Sequence, residues 1–132
     1  MAQAKSFREL AVYRLVRREA LKIVRLTQKF PADEQLALSE PMRRSSRAVG
    51  GHIAEAWGRR SNPAAFSASI VDALGQATAT QAWLDHARDC RYLTDEQHES
   101  CDAAWRQVGS MLTTMWDSAE EFCRHAITQR AE

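Results

Sequence analysis

Glycine and proline are scarce in this chain, five and three among 132 residues. Ala, Arg, Glu, Gln and Leu are common instead, a balance that favours helix on intrinsic propensity. Alternating apolar and polar runs are missing, so nothing reads as a strand. No apolar stretch approaches the roughly 18 residues that mark a membrane span. The opening Met1 to Ser6 has no apolar core behind its charge, so no secretory signal is expected. Cysteine is limited to Cys90, Cys101 and Cys123, with no CxxC pair. An odd, widely spaced set reads as reduced thiols in a cytoplasmic protein. With 45% apolar and 27% charged residues the composition is globular. The expectation is one domain over residues 1–132, long enough to bury a real core.

The charge that is present is unevenly divided. Residues 1–66 carry 13 Lys and Arg against 6 Asp and Glu, a balance of +7. Residues 67–132 carry 5 against 11, a balance of −6, and the total of +1 conceals the split. Such asymmetry points to binding. A basic half can hold phosphate, and an acidic half can meet the basic half of another copy.

Four helices account for nearly the whole chain. Ser6 and Glu9 have the spacing of a capping box and predict a first helix to about Lys29, stopped by Phe30-Pro31. At about 100° per residue, Val12, Tyr13, Val16, Ala20, Ile23 and Val24 share one arc. Arg14, Arg18, Lys22, Arg25 and Lys29 share the opposite arc, and Leu10, Leu15, Leu21 and Leu26 flank the apolar one. That apolar sector is wider than a helix on a monomer surface needs and hints at packing beyond one bundle. Pro41 interrupts the next segment. A short helical turn over 33–38 is expected, then a helix from near Ser39 to Arg59 with Pro41 in its first turn, where proline is tolerated. Met42, Ser46, Val49, Ile53 and Trp57 form its buried stripe. Gly50-Gly51 in mid-helix costs on the order of 1 kcal/mol per glycine, which implies the close approach of another helix.

Asn62 as cap and Pro63 as first residue start a third helix to about Arg91. Its core stripe is Phe66, Ile70, Ala73, Ala77, Leu84 and Ala87. Thr94 and Gln97 make a second capping box. The fourth helix is expected from Asp95 to about Gln129, with Cys101, Trp105, Val108, Leu112, Met115, Ala119, Phe122 and Ala126 in unbroken heptad-like spacing. Short connections imply antiparallel neighbours, so the expected fold class is all-α, an antiparallel up-down four-helix bundle.

Phe30-Pro31, Glu34, Leu38, Met42-Arg43-Arg44, the run His52-Ile53-Ala54-Glu55-Ala56-Trp57-Gly58-Arg59, then Ser61 and Phe66 form a joint pattern. It resembles the small four-helix bundle family encoded by intervening sequences in bacterial 23S ribosomal RNA genes. More distantly, it is similar to the accessory proteins of diversity-generating retroelements. The likeness spans about residues 7–116. It implies a ring-like homo-oligomer, commonly a pentamer, associated with nucleic acid and without an established enzymatic activity. Arg43, Arg44, Glu55, Gly58 and Arg59 carry over directly. The family Asn is His52 here, the Gly after Glu is Ala56, and Ala79 and Gln81 replace an acidic pair.

The basic residues form the leading candidate site. Arg14, Arg18, Lys22 and Arg25 on the first helix, with Arg43, Arg44, Arg47, Arg59 and Arg60, are expected to neutralise RNA or DNA phosphates. The competing reading is a solvated face, or one docked on an acidic partner. No aromatics interleave with the stripe, so no base-stacking platform is expected. Glu55 is expected to pair with Arg59 at i+4, with Trp57 and Gly58 as structural members of the same motif. Glu-x-x-His pairs on facing helices are absent, so no metal is expected. Cys123 and His125 point apart on a helix, and Cys101 falls on the core stripe. The chain is therefore read as a non-enzymatic cytoplasmic homo-oligomer that binds RNA or DNA, with no cofactor and no small-molecule substrate. The alternatives are a protein scaffold or adaptor, and a small enzyme using Glu55 and His52.

Overall fold

The computed structural model describes residues 4–124, and everything regular among them is helical. The long helices are α1 (Ala11–Thr27), α2 (Glu40–Gly58), α3 (Pro63–Asp89) and α4 (Asp95–Asp117). α1 packs on α2 and α4, and α3 packs on the same two, so neighbours in sequence are neighbours in space. The architecture is the expected up-down bundle. Its centre holds Ile23, Met42, Ile53, Phe66, Leu84 and Trp105, all fully buried. No helix among the described residues is long and apolar enough to cross a membrane.

The first helix begins later than Ser6 predicts. Ser6 Oγ accepts from the Arg8 N–H at 3.2 Å, but it caps only the 3-10 turn Phe7–Glu9. Glu9 reaches the Lys5 N–H at 2.6 Å and does not close the box on Ser6. Leu10 is extended and separates the turn from α1. The cause is Phe7, whose ring meets Tyr13 edge-on at 4.9 Å and folds the turn back over the helix. The buried line of α1 is Val12, Val16, Glu19, Ile23 and Thr27. Tyr13, Ala20 and Val24, expected on the same apolar arc, are only half-buried.

Proline shapes the entry to α2. A 3-10 turn (Ala32–Glu34) leads into one π-helical turn (Gln35–Ser39). The Glu40 N–H reaches back to the Gln35 carbonyl, and this wider turn precedes Pro41, which has no N–H to give. Met42, Ser46, Val49 and Ile53 are buried as expected. Ala56 closes the stripe in place of Trp57, because the repeat of three and four residues arrives at 56. Trp57 lies half-exposed at the border, edge-on to Phe122 at 6.1 Å.

Asn62 Oδ1 accepts from the Ala64 and Ala65 N–H groups at 3.1 and 3.2 Å. Replacing it with Ala is expected to cost about 1 kcal/mol in urea denaturation, with Asn62→Asp close to wild type. All six predicted core positions of α3 are buried. The helix stops at Asp89, short of the predicted Arg91, because Arg91 is left-handed at φ 62°. The Tyr92 N–H then bonds the Ala87 carbonyl, and the Arg91 N–H bonds that of Arg88. This Schellman closure favours glycine. A left-handed non-glycine residue costs roughly 1–2 kcal/mol, so Arg91→Gly is expected to raise stability by up to about 1 kcal/mol in the same assay.

Thr94 and Gln97 form the predicted reciprocal cap at 2.9 and 3.0 Å. Cys101, Trp105, Val108 and Leu112 are buried along α4. The expected unbroken run to Gln129 is interrupted at Ser118, after which residues 119–124 are helical again. The turn beyond the break lets Phe122 stack on Phe66 at 5.0 Å. Met115 and Phe122 are consequently half-exposed, and Cys123 takes a core position. Ala126, His125 and the helix end at Gln129 lie outside the described residues.

Candidate nucleic-acid interface

The nine candidate cations divide into two groups. Arg14, Arg18, Arg44, Arg47 and Arg59 are exposed, as is Arg25. Arg18 and Arg44 each lie beside one carboxylate, Glu19 at 3.1 Å and Glu40 at 3.6 Å. The Arg44–Glu40 pair is exposed on both sides, and such pairs are worth about 0–1 kcal/mol and yield readily to a phosphate, whereas the Glu19 carboxylate is buried and only Arg18 is open to solvent. Arg14 donates through Nε to the Arg8 carbonyl at 3.2 Å, and Arg59 donates to Ser69 Oγ at 3.3 Å. Arg17 was absent from the sequence stripe yet is equally exposed. Its angular position between the two arcs hid it.

The other three are bound into the bundle. Lys22 donates to Ser100 Oγ on α4 at 2.9 Å. Arg60 donates to the Trp57 carbonyl at 2.8 Å and stacks over the Trp57 ring at 4.2 Å. Arg43 is a clamp. Its Nε donates to Thr27 Oγ1 at 2.9 Å and its Nη2 to Gln35 Oε1 at 3.4 Å. Gln35 in turn donates to the Thr27 and Phe30 carbonyls, both at 3.0 Å. One guanidinium thus ties the end of α1, the Phe30-Pro31 turn and the start of α2. Arg43→Ala is expected to cost about 1–2 kcal/mol of stability while leaving nucleic-acid affinity within about twofold once the protein is folded, because the half-buried guanidinium already spends Nε and Nη2 on Thr27 and Gln35.

The profile of the 23S rRNA-intervening sequence protein family matches residues 8–114. The chain belongs to this family. A crystal structure of a protein of unknown function from the S23 ribosomal protein family of Bacteroides thetaiotaomicron is 30% identical. It covers 80% of this chain and 95% of its own, with a TM-score of 0.72. No curated protein matches the chain. Neither description names an activity.

Among this family's motif residues, Glu55 does not pair with Arg59. Arg59 has left helical geometry at φ −103°, ψ 11°, and swings to α3. Glu55 instead meets His52 Nδ1 at 3.3 Å, one helical turn back. Neither residue lines the groove between α1 and α2 or that between α1 and α4. Gly58 ends α2 with open space where a Cβ would stand.

The structure also assembles a group that the spacing did not reveal. Asp85 of α3 and His98 and Asp102 of α4 bring one ligand atom each within 4.8 Å. The facing atoms hydrogen-bond to one another and to their neighbours. His98 Nε2 lies 2.7 Å from Asp85 Oδ1, and its Nδ1 lies 3.3 Å from Arg88 Nη1. A guanidinium only donates, so Nδ1 accepts and Nε2–H donates to Asp85. Asp102 accepts from Gln81 Nε2 and Arg106 Nη1. The cluster reads as a polar clasp between α3 and α4. Of the thiols, Cys101 and Cys123 are buried, and burial pushes both above the usual cysteine range. Such thiols stay protonated at neutral pH and are poor nucleophiles. Cys90 is exposed, 3.8 Å from His86 Nε2.

Proposed function

We propose that this chain is a non-enzymatic cytoplasmic assembly protein that self-associates and holds the phosphates of RNA or DNA on its basic α1–α2 surface. The observation that carries the reading is the exposure of Arg14, Arg18, Arg25, Arg44 and Arg59, all in the half with a balance of +7. Cations on rigid helices can follow a phosphate backbone, and repetition in an oligomer multiplies weak contacts through effective concentration. A copy number of five comes from the resemblance alone. Base reading is not proposed, because among the described residues of α1 and α2 no aromatic side chain is more than half-exposed beside these arginines. The family's connection with 23S rRNA genes makes RNA the first ligand to try.

A titration of random-sequence RNA and DNA at about 50 and 200 mM salt tests this, since five phosphate contacts to duplex DNA imply a loss of roughly 10²–10³ in affinity over that interval. No binding at the lower salt would overturn the nucleic-acid reading. A second reading is a protein scaffold or adaptor, in which the arginines meet carboxylates such as those of the chain's own acidic second half in another copy.

A further inference from the structure

We infer that the groove between α1 and α2 seats the end of α4 from a second copy of this chain. Trp116 enters the groove, and Asp117, Glu120 and Glu121 meet Arg17 and Arg47 at its rim. The inference rests on the homo-oligomer reading above and gives it a surface.

The groove has a volume of about 300 Å³. Its floor is Tyr13, Val16, Ala20 and Val24 from α1 and Gly50-Gly51 from α2. Apart from buried Val16, it is therefore the part of the wide apolar arc that the described helices leave partly uncovered. Leu21 stands at its edge, 48% exposed. The glycines point the same way. A Cβ on Gly51 would meet nothing within 4 Å, and one on Gly50 would sit 3.6 Å from Tyr13 and Val16, an ordinary contact. Packing within the chain requires neither glycine, yet each costs on the order of 1 kcal/mol in a helix. Their effect is to keep the floor low for something arriving from outside.

The rim states what arrives. Arg17 and Arg47 are exposed and make no ion pair among the described residues. An apolar floor between cations fits an apolar knob set among carboxylates. The chain carries such a knob. Trp116 is 46% exposed. Asp117, Glu120 and Glu121 beside it are exposed, with no ion pair among the described residues. Trp116 does not reach its own groove, whose lining comes from α1 and α2 alone. Knob and groove are different patches, so the contact runs head to tail, each copy giving one knob and taking one. The knob lies beyond residues 8–114, the span matched by the family profile. Arg47 then belongs to the subunit contact, and Arg14, Arg18, Arg25, Arg44 and Arg59 remain for phosphate.

Light scattering on two variants tests the contact. Gly51→Trp fills the groove and leaves the knob, whereas Trp116→Glu removes the knob and leaves the groove. Each alone is expected at the single-chain mass of 14.9 kDa with wild-type helicity. Mixed in equal amounts they should give a one-to-one dimer and nothing larger, since only one intact groove and knob pair remains. As a second route, Arg17→Glu with Arg47→Glu should dissociate the assembly, and adding Glu120→Lys with Glu121→Lys in the same chain should restore it. Variants that keep the wild-type mass, or monomeric variants that do not pair on mixing, would overturn the contact. A wild-type chain that is itself monomeric would instead overturn the homo-oligomer reading on which the contact rests.

Discussion

A variant carrying Arg14→Gln, Arg18→Gln, Arg25→Gln and Arg44→Gln should bind nucleic acid at least about 100-fold more weakly than wild type at low salt. Each lost phosphate contact also removes one released counterion, so the slope of log affinity against log salt should fall by about 0.9 per contact on duplex DNA. The fold should not change. All four side chains are exposed. The two ion pairs they surrender, with Glu19 and Glu40, lie at the surface on the arginine side. Glu19 is the sensitive point, since it is buried and Arg18 Nε is the partner of its Oε2. Arg18→Gln therefore supplies a shorter donor in the same place. Unchanged circular dichroism with unchanged affinity would mean that these arginines do not meet phosphate.

The largest effect on stability is expected at Trp105. Its side chain is fully buried in α4. Trp105→Ala should cost about 3–5 kcal/mol, a large part of the roughly 5–15 kcal/mol that a domain commands. Urea denaturation would show a much lower midpoint. Trp105→Phe should be milder, at under about 3 kcal/mol, for two reasons. An aromatic ring still fills most of the space. The indole N–H of Trp105, which has no partner among the described residues, is also removed, and an unpaired buried donor costs about 1–3 kcal/mol. Equal losses for Ala and Phe would contradict the packing role given to the ring.

What could be read from the chain was whatever repeats along it. The stripe from Phe66 to Ala87 lies on a helix with a good cap at Asn62 and no residue that breaks it, and every predicted position is buried. Thr94 and Gln97 needed only a three-residue spacing to be recognised, and they bond as that spacing requires. Ser6 and Glu9 have the same spacing but serve a short turn, because a distant ring, Tyr13, captures Phe7. Apolar periodicity also drew the arc of α1 rotated by about 40° from the observed buried line. It could not anticipate that Glu19 and Thr27 would be taken inside, since polar burial is decided by tertiary partners.

The arginines show the same boundary. Composition identified a basic half, and most of its members lie at the surface. It could not separate Arg44, which faces solvent, from adjacent Arg43, which is spent on Thr27 and Gln35. One residue along a helix is a rotation of about 100°, and which side faces a neighbour depends on where α1 ends. His98 sits in the first turn of α4, but its companion Asp85 comes from another helix. No spacing rule joins them.

Self-association that leaves cations open to a polyanion is the central claim. Size-exclusion light scattering of the purified chain, alone and with a random RNA at low and then high salt, tests it most directly. The account predicts a mass several times 14.9 kDa for the protein alone, a heavier complex with RNA at low salt, and loss of the RNA, but not of the assembly, as salt rises. A single-chain mass at every concentration, or an assembly that never carries RNA, would contradict it.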